Sequence, residues 1–187
     1  TMEILNKVEL YGIERQPTLP LFPVPKGYGT EHDYMESLTL SGARKIYGEP
    51  LPSEVEERLN FELDVIKTKG FSRLFLIIQD LVNAMRKTYV MVGSGRSSDA
   101  SSMVCYCLGI TTIDPLKYNL WFERYVRLDR DRLPILCIDF DYEGRIQAIR
   151  YLEEKYGKDC CAHIIKFTKM TKEEAIKKVA RVEKLPR

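Results

Sequence analysis

Tyr89-Val90-Met91-Val92-Gly93-Ser94-Gly95-Arg96-Ser97-Ser98-Asp99 is where the chain changes character. Upstream of it the apolar residues repeat at three- and four-residue spacing. Here four residues of β type run together and meet two glycines and a string of small polar side chains. Residues 99–108 then read as helix again. Strand, glycine loop and helix in that order form a possible anion site, because glycine lets the backbone turn sharply and unpaired amides at a helix start face outward. An ordinary tight turn explains a lone glycine loop equally well.

On the amino-terminal side three helices are expected. The first covers residues 31–47, with Gly48 and Pro50 to stop it. The second starts at Pro52 and Ser53, where Ser53 and Glu56 form a capping box, and carries Val55, Leu59, Leu63 and Ile66 on one face up to Gly70. The third covers residues 73–87 and presents Leu74, Phe75, Ile77, Ile78, Leu81, Val82 and Met85, a face broad enough to require a sheet or several helices against it. Before them, residues 15–29 hold Pro17, Pro20, Pro23 and Pro25 and read as an extended, stiff spacer.

On the carboxy-terminal side residues 135–140, introduced by Pro134, read as a second strand. A helix over 144–156 follows, with Ile146, Ile149 and Leu152 on one side, and then a third strand over 162–167. Thr171 and Glu174 cap a last helix that turns Ala175, Ile176, Val179 and Ala180 inward. The expected fold class is therefore α/β (α+β), a small mixed sheet backed by helices and preceded by a helical segment. The expected divisions are an arm or linker over 1–30, a helical segment over 31–88, a sheet with its glycine loop over 89–170, and the start of a further helical unit over 171–187.

With 187 residues, 44% of them hydrophobic, the chain has enough apolar material for a core and is neither disordered nor collagen-like. Apolar runs such as residues 74–78 and 89–92 are far too short to cross a membrane, and the opening residues lack a secretory pattern, so a cytoplasmic protein without membrane partners is expected. The cysteines Cys105, Cys107, Cys137, Cys160 and Cys161 show none of the paired spacings of a zinc site and read as reduced thiols. From Lys166 onward eight basic residues face three acidic ones, which suits either a phosphate-facing surface or a solvated helix face. His163 has no second histidine near it and reads as structural. Tyr118, Trp121, Phe122 and Tyr125 read as core packing, with base stacking open to them if exposed.

Longer motifs now carry a resemblance. Gly70-Phe71, Leu74-Phe75-Leu76-Ile77, the glycine loop, Gly109-Ile110-Thr111-Thr112-Ile113-Asp114-Pro115-Leu116-Lys117-Tyr118, Phe122-Glu123-Arg124 and Val179-Ala180-Arg181-Val182 occur in an order that is similar to the palm region of the bacterial replicative DNA polymerase III alpha subunits. The likeness covers essentially the whole chain, which is only a small part of such a polymerase. It implies a palm similar to the polymerase beta nucleotidyltransferase fold, placed after an amino-terminal phosphoesterase-like domain and ending where the thumb begins. It also implies DNA-templated nucleotidyl transfer with magnesium. The implied partners are a DNA primer-template, deoxynucleoside triphosphates and other replication subunits.

The chain departs from that pattern at two places. Where the family reads Pro-Asp-x-Asp-x-Asp-Phe, this sequence has Pro134-Ile135-Leu136-Cys137-Ile138-Asp139-Phe140, so Ile135 and Cys137 replace the metal-binding pair and Asp139 alone remains. An alkyl group cannot ligate a metal, and a thiol suits magnesium poorly. Asp139 and Asp141, spaced i and i+2, are the residual metal candidates. In the loop, the resemblance assigns nucleotide or phosphate contacts to Gly95, Arg96, Ser97 and Ser98, with Arg124 and Arg130 near the triphosphate or primer end. Asp99 adds a negative charge that satisfies amides at the helix start and opposes a phosphate. Three functional readings follow: a polymerase fragment that is inactive as it stands, a non-catalytic DNA-binding module, and a decayed gene product.

Overall fold

The computed structural model describes residues 2–7, 12, 18–127, 129, 132–165 and 167–184. A short helix α1 (Met2–Leu5) precedes α2 (Glu31–Tyr47), α3 (Ser53–Thr68), α4 (Ser72–Lys87), α5 (Met103–Cys107), α6 (Tyr142–Tyr156) and α7 (Lys172–Val182). Two capping boxes start helices: Thr30 with Asp33 at α2, and Thr171 with Glu174 at α7. The expected box at Ser53 and Glu56 does not form. Pro52 occupies the cap position without a side-chain bond, and its carbonyl accepts from the Glu56 amide at 3.0 Å.

The main core lies among α2, α3, α4 and α5. Val55, Leu59, Leu63 and Ile66 of α3 are buried there as their spacing required, together with Phe75 and Leu76 of α4 and Met103, Val104 and Cys105 of α5. The approach of α2 to α5 depends on Gly42, because a Cβ at that position would lie 1.9 Å from the Cys107 carbonyl oxygen. The opposite face of α4 supplies Leu81 and Met85 to a second, smaller cluster with Val90 and Ala148, onto which Val92, Phe140, Tyr151 and Leu152 pack. There Asp80 joins α4 to α6 by accepting from the Tyr151 hydroxyl at 2.7 Å and pairing with Lys155 at 2.6 Å. The described part of the arm is fastened down as well: Arg73 donates to the Leu19 carbonyl at 3.2 Å and pairs with Glu31 at 2.7 Å.

The structure overturns the expected sheet. Among the described residues no strand forms; they are helix, turn, loop and extended segment. One antiparallel bridge, Val92 to Phe140, is all that joins two of the three segments read as strands. The physical reason is visible on both sides of that bridge. Gly93 donates to the Asp139 carbonyl at 2.8 Å, but Asp141 begins α6 at once and Ser94 turns away to accept from Thr112, so the ladder has no room to extend. β-type alternation guarantees an extended segment; a sheet also needs partners for its backbone groups. The alternation itself persists: Leu136 and Ile138 pack on the main core while Ile135 and Asp139 are exposed. In the described part of 162–167, Ile164, Ile165 and Phe167 are exposed.

Two helices also differ from expectation. The helix read over 99–108 breaks into a 3-10 turn, Ser98–Ser101, and the short α5, because the Ser102 backbone is extended and its side chain caps α5 by accepting from the Cys105 amide at 3.1 Å. In α7 the apolar face is present but turned to solvent, with Ile176, Val179 and Val182 exposed rather than buried. On α6 the inward residues are Ala148, Tyr151 and Leu152, and Ile146 is exposed.

Candidate functional site

The glycine loop is bent by Gly95, whose φ of +137° lies where side chains are strained, and it packs closely on Ala100 and Thr111. Its floor is Asp99, which is 1% exposed. One oxygen of Asp99 accepts from the amides of Ser97 at 3.1 Å and Ala100 at 2.9 Å; the other accepts from the Cys137 amide at 3.0 Å. Among the described residues no cation is paired with it. Three amide donors offset part of the cost of burying that charge. Asp99 thus ties the loop to the segment bearing Ile135 and Cys137, and it consumes loop amides that would otherwise face a ligand.

Below this floor lies a support that the sequence reading missed. Glu62 of α3 is fully buried and accepts from Arg58 at 2.7 Å, the Ser102 hydroxyl at 2.8 Å, and the amides of Met103 at 2.9 Å and Val104 at 3.1 Å. Burial pushes its carboxyl up, against the pull of those two amides and Arg58. Arg58 also donates to the carbonyls of Ser101 and Leu120, both at 2.9 Å. The i to i+4 spacing of Arg58 and Glu62 was legible as a helix-surface pair, but its burial was not.

Two clefts open around the loop. A cavity of about 620 Å³ is lined by Ser97, Ser98, Ala100, Ser101, Asn119, Leu120, Trp121 and Arg124. A second, of about 350 Å³, shares Ser97 and Ser98 and adds Ile135, Cys137, Arg127 and Arg132 among its lining residues. The structure therefore brings Ser97, Ser98 and Arg124 together, and it sets Ile135 and Cys137 beside the same loop. Arg96 instead turns to Asp139, with 3.1 Å between guanidinium and carboxylate; both are exposed, so the pair adds little stability. Arg130 lies outside the described residues, as do Lys166 and Arg187 of the basic carboxy-terminal stretch. The aromatic group divides, since Phe122 and Tyr125 are core residues whereas Tyr118 and Trp121 are exposed.

The donor chemistry beside the loop does not fit a magnesium ion. Ile135 and Cys137 present an alkyl group and a thiol, and Asp139 is engaged with Arg96. Asp141 is occupied too: it caps α6 through the Gly144 amide at 2.6 Å and accepts from the Met91 amide at 2.9 Å. Those bonds, the Gly144 one foremost, hold its carboxyl below the usual range. Because the folded value is depressed, its contribution to stability is present above the ordinary carboxylate range and is lost as pH falls through the folded value. A carbon-detected titration should give an Asp141 midpoint below that of a free aspartate, with exchange protection at Gly144 and Met91 fading as it protonates. A midpoint at or above the free value would refute this assignment. Among the described residues no three potential ligands cluster closely enough to hold a metal, and no helix is long and apolar enough to cross a membrane.

Comparison with known proteins adds relatives. Residues 33–187 match the family described as the bacterial DNA polymerase III alpha NTPase domain. The chain is 42% identical over 170 residues to the DNA polymerase III subunit alpha of Borreliella burgdorferi, a match covering 91% of the chain and 15% of that protein. It is 37% identical over 184 residues to the subunit of Mycobacterium leprae, covering 97% of the chain and 16% of the relative. Against that of Neisseria meningitidis serogroup A the identity is again 37%, over 195 residues, covering all of the chain and 17% of the relative. The chain thus spans about one-sixth of the length of these relatives.

Proposed function

The chain belongs to the bacterial DNA polymerase III alpha family, and from that membership we propose that it is a region which contacts DNA without carrying out metal-dependent nucleotidyl transfer itself. The observation that carries this reading is the chemistry beside the glycine loop, where Ile135 and Cys137 line the cleft that also holds Ser97 and Ser98. Two-metal phosphoryl transfer needs carboxylates that hold both ions against the attacking and leaving oxygens. Asp141 caps a helix, and Asp139, held only weakly by its exposed pair with Arg96, belongs to no cluster of three potential ligands among the described residues, so the two do not replace the missing pair. Cations offered to phosphate are Arg124 in the larger cleft, Arg132 in the smaller, and Lys172, Lys178 and Arg181 of α7, whereas Arg127 pairs with Asp129 and Lys177 with Glu173.

The test uses a fluorescent primer-template duplex with this chain. Binding should appear in anisotropy at low salt and weaken steeply as salt rises, because neutralised phosphates release counterions. Magnesium and the matching nucleotide should leave it unchanged, and no primer extension should be seen. Extension that depends on magnesium and disappears in Asp139→Asn would overturn the catalytic part of the proposal. Duplex binding insensitive to salt, or absent, would overturn the DNA-contacting part.

A further inference from the structure

We infer that Trp121 is a base-stacking residue, and that the cleft beside it takes an unpaired nucleotide of a single strand in preference to a free nucleoside triphosphate. The inference rests on the reading that this chain contacts nucleic acid and names the form of nucleic acid that the larger cleft accepts.

Trp121 is the one tryptophan of the sequence and is 64% exposed at the cleft lined by Ser97, Ser98, Ser101, Asn119 and Arg124. Its placement is firm. The next residue, Phe122, is fully buried, Tyr125 is nearly so, and the Arg124 amide donates to the Trp121 carbonyl at 3.2 Å, so the indole stands on a short 3-10 turn, Phe122–Arg124, rooted in the core. The Leu120 carbonyl, on its other side, is held by Arg58. A large flat ring on a fixed backbone offers a stacking face to any base, and the hydroxyls and the Asn119 amide beside it offer hydrogen bonds to a base edge or a sugar. A volume of about 620 Å³ is of the size that accepts a nucleotide.

Charge selects among nucleotides. A triphosphate concentrates several negative charges and needs converging amides or cations to hold them. Here the amides of Ser97, Ala100 and Cys137 are already bonded to the buried Asp99 carboxylate, which adds its own negative charge beneath the loop. Arg96 is turned to Asp139, and Arg124 is the cation that lines the cleft. A single phosphodiester per nucleotide matches one arginine, and the indole supplies the remaining attraction.

Because tryptophan occurs once, emission excited at the red edge of its band, where the eleven tyrosines do not absorb, reports on this residue alone. Titration with a short single-stranded oligodeoxynucleotide should quench the emission saturably, and a deoxynucleoside triphosphate at the same nucleotide concentration should not. Trp121→Ala should weaken binding of the labelled oligonucleotide, read by anisotropy, by about tenfold or more, and Trp121→Phe should retain most of it. Emission that stays unchanged while anisotropy shows the strand bound, equal quenching by the triphosphate, or Trp121→Ala binding within about twofold of the parent would each overturn the inference. If duplex binds but the tryptophan is silent, this inference fails and the DNA-contacting proposal survives; if no nucleic acid binds in any form, both fail.

Discussion

Glu62→Ala is expected to lower the stability of the chain by about 3–5 kcal/mol, the usual penalty for removing one member of a buried ion pair. The carboxylate takes Arg58, Ser102, Met103 and Val104 at once, so its loss leaves three donors at the start of α5 without an acceptor and a guanidinium without its counter-charge. Each orphaned donor carries its own desolvation cost. For a chain of this size the fall should appear as a drop of roughly 6–20 °C in melting temperature. Glu62→Gln keeps the shape and one acceptor oxygen and should lie between the parent and the alanine variant. The same residue holds the floor of the larger cleft, since Arg58 is fixed by Glu62 and in turn fixes the carbonyls of Ser101 and Leu120. Duplex binding should therefore weaken with stability. Urea denaturation showing a loss under about 1 kcal/mol would mean that the pair contributes far less than its burial implies.

Gly42→Ala should also destabilise, against the ordinary trend. Replacing glycine by alanine inside a helix normally adds about 0.5–1 kcal/mol, because glycine loses the most backbone freedom on folding. At Gly42 the new methyl would sit 1.9 Å from the Cys107 carbonyl oxygen and 2.8 Å from its carbonyl carbon, and backbone cannot swing aside as a side-chain tip can. Either α2 or α5 must move, which opens the main core at Met35, Ala43 and Met103. The expected net effect is a loss of about 1–3 kcal/mol, as for other overpacked cores. Gly48→Ala is the control. Nothing lies within 4 Å of its added carbon, although its φ of +87° strains any side chain. Its loss should come from the backbone alone and should leave core packing, followed by methyl NMR shifts around Met35 and Met103, as in the parent. A Gly42→Ala protein as stable as the parent would show that the α2 to α5 approach is loose.

Much of the helical part was legible in the residues themselves. The end of α2 was legible in Gly48 with Pro50 and the start of α7 in Thr171 and Glu174, because caps are local bonds between neighbours in sequence; the Thr30 and Asp33 box that starts α2 was present in the residues but not read. The buried face of α3 was legible because 3.6-residue periodicity is a property of one helix. The family was legible in ordered motifs, and the absence of a carboxylate at Ile135 and Cys137 could be read off directly. The sheet was misread because a strand's partners lie elsewhere in the chain: Val92 and Phe140 meet at one bridge, while the Cys137 amide goes to a carboxylate instead of a ladder. The inward face assigned to α7 failed for a similar reason, since amphipathicity names the apolar side and not what covers it.

The site divides along the same line. Sequence by itself determined the identities that set the chemistry: no carboxylate at 135 or 137, an aspartate at 99, a single tryptophan at 121. Only the tertiary structure decided that Asp99 faces inward onto three amides, that Arg96 is turned to Asp139, that Glu62 is buried under α5, and that Trp121 is exposed while Phe122 and Tyr125 are not. Bonding capacity belongs to a residue type and travels with the letter in the sequence. Burial, and the choice of partner, depend on which distant segments the packing of α2, α3, α4 and α5 brings together, and short-range pattern carries no record of that.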